Sequence, residues 1–154
     1  MEIVEYTADK AMEVIELFQG SVHEAGKEFY SAEQLEAWSP TPPDYNLWVS
    51  YLNLIEPSLL MKNEKILGFL GFEENGHVDR LYVHKDHLRQ GVATMLYQHA
   101  EQFALSEGIE KLFTEASYLA KPFFEKMGFI TLKKNGICRD GILLNNFSMG
   151  KQLK

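Results

Sequence analysis

The residues best placed to do chemistry lie between Gly76 and Ser106. His77 and Asp79 are separated by one residue, so the alternation of a strand sets both on one side. A histidine titrates near neutrality, and this pair can take a proton from an incoming group directly or through water. Further on, Arg89-Gln90-Gly91-Val92-Ala93-Thr94 follows a strand and opens a helix. The first N–H groups of a helix lack intrahelical partners, and the helix dipole adds partial positive charge there. Gly91 has no Cβ and Ala93 is nearly as small, so a phosphate can approach the main chain closely. Arg89 adds a full charge. The chemistry this spacing suggests is a phosphate grip beside a proton acceptor.

Other titratable residues rank lower. Glu115, near the end of a strand, and His23, in an irregular N-terminal segment, are alternative bases. The histidines at 23, 77, 84, 87 and 99 form no recognisable ligand set, so no metal site is expected. Cys138 is the single cysteine. It cannot form an internal disulfide, which points to a reducing, cytoplasmic setting. No apolar run reaches the ~18 residues of a membrane span, and the N-terminus lacks a signal-peptide pattern. The formal net charge of −7 argues against non-specific nucleic-acid binding and suits a cationic partner such as an amine.

These groups must be positioned by one domain. The 154 residues, 45% of them apolar and 24% charged, suffice for a single soluble core. Glu2–Tyr6 reads as a strand. Thr7 can cap a helix whose stripe is Ala11, Val14, Ile15 and Phe18 and whose end is near Gly20. Ser31-Ala-Glu-Gln34 has capping-box spacing for a second helix, stopped by Pro40, Pro42 and Pro43. Asp44 can cap a third, ended by Pro57. Ser58–Lys62 and the near-continuously apolar Ile66–Phe72 read as strands, the latter buried on both faces, with Gly68 and Gly71 marking close approach or a bend. Asn75-Gly76 turns into the strand His77–His84. The helix Gly91–Glu107, the strand Lys111–Ala116, a short helix Leu119–Met127 and two final strands, Phe129–Lys134 and Ile142–Met149, complete the chain. Asp140-Gly141 is the tighter turn of the last pair. A strand, a long helix and a returning strand form a parallel crossover. The fold class is α+β: a mixed, mostly antiparallel sheet of six to seven strands flanked by helices, with one parallel β-α-β crossover.

Two motifs carry a resemblance. Leu88-Arg-Gln-Gly91-Val-Ala93, and Ser117-Tyr-Leu-Ala120-Lys-Pro-Phe123-Phe124-Glu-Lys-Met-Gly128-Phe129, together resemble the GNAT superfamily of acetyl-CoA-dependent N-acetyltransferases. Leu88 stands where that family expects Gln or Arg, Ser117 where it expects Asn, and Phe124 where many members carry a tyrosine that protonates the leaving thiolate. The resemblance implies that the backbone of Leu81, Tyr82 and Val83 holds the pantetheine arm. The amides of Arg89, Gln90, Gly91, Val92, Ala93 and Thr94 would take the pyrophosphate, while Ser117, Phe124 and Lys126 meet the cofactor. Phe124 cannot donate a proton, so water, Tyr118 or Tyr82 does, or no general acid exists. Tyr30, Trp38 and Asn146 would wall the acceptor pocket.

The implied function is acetyl transfer from acetyl-CoA to a primary amine by direct attack in a ternary complex. The alternative is an acyl-CoA-binding regulatory module with little or no catalysis. The amine, the acyl preference and homodimerisation are left open by the sequence.

Overall fold

The computed structural model describes Met1–Lys154. Seven strands and five α-helices follow one another as β1 (Glu2–Glu5), α1 (Ala11–Ala25), α2 (Ala32–Trp38), α3 (Tyr45–Ile55), β2 (Ser58–Lys62), β3 (Lys65–Phe72), β4 (Val78–Val83), α4 (Val92–Ser106), β5 (Lys111–Ala116), α5 (Lys121–Lys126), β6 (Ile130–Arg139) and β7 (Ile142–Gln152). The α+β class is as expected, but the single sheet is not. The strands form a four-stranded sheet, β1-β2-β3-β4, and a three-stranded sheet, β5-β7-β6. All pairings inside them are antiparallel.

The parallel contact between β4 and β5 shrinks to one bridge, His77 with Phe113. The Phe113 N–H donates to Gly76 O at 3.0 Å, and Thr114 Oγ1 donates to Val78 O at 2.8 Å. Beyond these two bonds the strands diverge, which is why the expected continuous sheet is split. A β-bulge helps. Gly71 faces Arg80 and Phe72 faces Val78, so Asp79 is the extra residue on β4.

Local chemistry explains most of the ends. Ser31 and Gln34 form the full capping box, and Asp44 accepts from the Leu47 N–H. Thr7 does not cap: its hydroxyl bonds Asp9, and a short 3₁₀ turn, Ala8–Lys10, precedes α1. α1 also runs past Gly20 to Ala25, because buried Ser21 and Val22 continue its apolar stripe. The last hairpin is longer than expected. Asn135-Gly136 pairs within β6, and only Asp140-Gly141, both at positive φ, turns the chain.

β3 is buried on both faces, as its composition predicts. α1 and α3 cover one face through Ile15, Phe18 and Leu52 beside Ile66 and Phe69. α4 covers the other, and Val92 and Leu96 meet Leu67, Leu70, Leu112 and Met149 there. A Cβ on Gly68 would lie 2.7 Å from Val92 Cγ1 and 3.0 Å from Tyr82 O, so its absence lets the start of α4 sit against β3 and β4. No helix is long and apolar enough to cross a membrane.

Candidate active site

The divergence of β4 from β5 opens a cleft of about 1030 Å³. Its β4 wall is an unpaired strand edge. The His84 N–H donates to Leu67 O, and antiparallel pairs alternate between bonded and non-bonded. The N–H and C=O of Leu81 and Val83 therefore face away from β3 and into the cleft. Unpaired main-chain groups of this kind accept an extended amide-bearing chain as an added strand.

At one end of that edge the backbone turns into a cradle. Arg89 has φ 60° and Gly91 φ 82°, both left-handed, and α4 begins at once. No amide from Leu88 to Thr94 finds an acceptor in the protein; the first helical bond is Met95 N–H to Gly91 O. Successive free amides beside left-handed residues make an anion-binding concavity, reinforced by the helix dipole. A Cβ at Gly91 would meet nothing within 4 Å, so that position looks into open space. Arg89, Lys85 and Lys126 line the same region. Edge and cradle together fit a ligand with an amide-bearing arm and a diphosphate.

Leu81, Tyr82, Val83, Arg89, Gly91, Val92, Ala93, Thr94, Ser117, Phe124 and Lys126 all line the cleft, as do Tyr30, Trp38 and Asn146. Gln90 does not: its side chain turns to His87 (Oε1 to Nδ1, 3.2 Å), so only its main chain belongs to the cradle. Tyr118 does not line it either. Its ring packs edge-on against Phe147 and Tyr30.

His77 sits behind the wall rather than in it. Its ring stacks on Phe113 at 4.7 Å, Nδ1 lies 2.6 Å from Glu73 Oε1, and Nε2 lies 2.6 Å from Glu115 Oε1. Asp79 is farther, at 3.9 Å. Burial disfavours the charged ring, but the hydrogen bonds to Glu73 and Glu115 outweigh it and raise the pKa above the usual histidine value. Glu115 and Asp79 are the carboxylates of this group that reach the cleft. Sequence alone offered no ligand set, yet the fold brings Glu73, His77 and Asp79 within 4.8 Å of one another. Ion pairing to the histidine accounts for that proximity.

Two residues were missed from sequence. Tyr51 donates to Asp79 Oδ2, and that bond together with burial pushes its phenol far above the ordinary range. Arg80 lines the cleft with its guanidinium 4.3 Å from the Tyr51 ring centroid and 4.6 Å from that of Trp48. Their signal is the aromatic face of α3, where the sequence offers Trp48 as a pocket wall and sets Tyr51 on the same apolar face without a role. Tyr82 contributes main chain to the cleft, while its ring packs against Phe18 and Phe69, and burial pushes its phenol up to about 12.

The acetyltransferase (GNAT) domain family matches residues 19–151. The chain belongs to the GNAT acetyltransferase family. It is 28% identical over 149 residues to the uncharacterised N-acetyltransferase YafP of Escherichia coli, covering 97% of this chain and 94% of that one. It is 30% identical over 109 residues to the peptidyl-lysine N-acetyltransferase YjaB of Salmonella typhimurium, covering 71% and 67%. A GCN5-related N-acetyltransferase from Rhodopseudomonas palustris superposes with a TM-score of 0.93 at 28% identity, over 99% of this chain and 95% of that one. The PaiA N-acetyltransferase of Thermoplasma acidophilum, solved with coenzyme A, has the same fold: TM-score 0.77, 18% identity, 98% of each chain. This GNAT protein is accordingly an acyltransferase. Its split sheet is the place where the two motifs met in the sequence come together.

Proposed function

We propose that this protein is an N-acetyltransferase that passes the acetyl group of acetyl-CoA to a primary amine by direct attack in a ternary complex. The observation that carries this reading is the continuity of one cleft. The free edge of β4 leads into the unpaired amides of residues 88–94, and both lie beside carboxylates that can take a proton.

Leu81 and Val83 align the pantetheine arm through main-chain bonds, while the amides of Arg89–Thr94, with Lys126, hold the pyrophosphate. Holding both reactants in register converts a bimolecular encounter into an intramolecular one. The amine must be neutral to attack. Glu115 faces the cleft, His77 joins it to Glu73, and Glu73 is exposed. This chain carries a proton from the cleft to solvent: His77 accepts on the Glu115 side and releases on the Glu73 side. Asp79, bonded by Tyr51 and 3.8 Å from Arg80 Nε, presents a second carboxylate beside the cleft to which the incoming amine can donate a hydrogen bond.

A relative named for peptidyl-lysine acetylation makes a lysine-containing peptide the first amine to try. Incubation with acetyl-CoA and a panel of such peptides, polyamines and amino acids, reading free thiol, tests the proposal. Amine-dependent thiol release supports it. CoA binding without release on any amine would favour the acyl-CoA-binding module instead.

A further inference from the structure

Every family member that releases a thiolate faces the same problem, and here the helix residue that often solves it is Phe124, 3% exposed and packed on Phe123 and Phe129. A replacement must be a protonated donor lining the cleft, with its hydrogen not already committed. Thr114 lines the cleft but donates to Val78 O. The Tyr82 ring is turned into the aromatic cluster of Phe18 and Phe69. The Tyr118 ring lies outside the lining.

Tyr30 meets every condition. It follows the short turn after α1 and is 7% exposed. Its ring is held edge-on between Trp38, at 5.2 Å, and Tyr118, at 5.8 Å. The Tyr118 N–H donates to Tyr30 Oη at 2.9 Å, just beyond the end of β5, with the Ser117 hydroxyl as a second neighbour. The phenol oxygen thus accepts, and it donates no hydrogen bond to main chain or carboxylate, the Ser117 hydroxyl being the one further polar group beside it. Burial, opposed by the Tyr118 amide, leaves its pKa raised, so the phenol stays protonated through neutral pH.

We infer that Tyr30 is the general acid of the transfer, a tyrosine supplied by the N-terminal helical segment in place of the one absent from α5. The inference rests on the acetyl-transfer reading above. As the amine nitrogen forms its bond to the acetyl carbon, the C–S bond breaks and its electron pair stays on sulfur. The Oη–H of Tyr30 gives its proton to that sulfur, the proton that the nitrogen sheds as the amide forms leaves through Glu115 and His77, and the phenolate recovers one from solvent in the cleft. The Tyr118 amide, already bonded to the oxygen, stabilises the transient phenolate.

The test uses bound CoA and needs no acceptor. The thiol of CoA is titrated on the protein by the ultraviolet absorbance of its thiolate. A donor aimed at sulfur stabilises the thiolate, so Tyr30→Phe should raise the bound thiol's pKa by about one to two. CoA affinity should stay within about twofold of the parent, and turnover on any amine that the panel above identifies should fall roughly 100-fold. Ser117→Ala should move the thiol's pKa by less. If Tyr30→Phe does not fold, 3-fluorotyrosine at this position, a stronger donor of the same shape, should lower the bound thiol's pKa. An unchanged pKa in the Tyr30 variants, or a larger shift in Ser117→Ala, overturns the assignment. Failure of the unaltered protein to bind CoA overturns the underlying acetyl-transfer reading instead, and a calorimetric titration run first separates the two.

Discussion

Substituting Gly91 probes the cradle with a charge of chosen sign. A Cβ there points into open cleft with no protein atom within 4 Å, so an added side chain meets the ligand and not the fold. Gly91 has φ 82°, and a non-glycine residue in that region costs roughly 1–2 kcal/mol of stability, at the low end for Asn and Asp. Gly91→Asn and Gly91→Asp carry that strain and bulk alike and differ only in charge. A carboxylate about 5 Å from a phosphate, at an effective dielectric between ~20 and ~80, is repelled by roughly 3 down to roughly 0.8 kcal/mol. The aspartate variant should therefore bind CoA roughly 4- to 200-fold more weakly than the asparagine variant. Calorimetry at low and high salt measures this, and the gap should narrow at high salt, where the Debye length falls to ~3 Å. Equal affinities at low salt would show that no phosphate sits at this helix start.

Three further outcomes follow from the same geometry. His77 has a folded pKa raised above its ordinary value of about 6.5, so the stability it contributes is present below that pH and fades as pH rises through the folded value. If it relays the proton, the acid limb of kcat/KM should sit above that reference, and Glu73→Gln should move both the limb and the NMR titration of His77 downward; a limb unaffected by Glu73→Gln removes the relay. Thr114→Val deletes the buried bond to Val78 O at the apex of the split and should cost about 1–3 kcal/mol in urea unfolding, against no change if solvent satisfies that carbonyl. Gly68→Ala forces a methyl to within 2.7 Å of Val92 and 3.0 Å of a main-chain oxygen, and overpacking of that kind costs about 1–3 kcal/mol. It should also weaken CoA binding by shifting the start of α4, and a variant as stable as the parent would refute the close-packing account.

What could be read from the sequence follows the range of the interactions. The Ser31 and Asp44 caps, the Asp140-Gly141 turn and the buried β3 are decided within a few residues, and each is found as expected. An internal glycine suggests an end to α1 near Gly20, while buried Ser21 and Val22 carry the helix on to Ala25. The split of the sheet depends on how two strands far apart in sequence diverge after a single bridge, which no local pattern encodes. The same holds in the site. The cradle is contiguous and therefore visible, whereas the partners of His77 come from across a hairpin, Glu73, and from β5, Glu115. Alternation placed Asp79 beside His77, but the bulge at Asp79 gives it Tyr51 as its partner instead. Tyr30 was assigned to the acceptor wall, and its bond to the Tyr118 amide, 88 residues away, could not be foreseen.

The central claim is that free main-chain donors of β4 and of residues 88–94 hold the acyl carrier. Amide hydrogen exchange with and without CoA tests it residue by residue. The predicted result is slowed exchange at Leu81, Val83 and Arg89 through Thr94, with little change along β6. Binding of CoA that leaves these amides exchanging as before, or protects a different surface, would contradict the account.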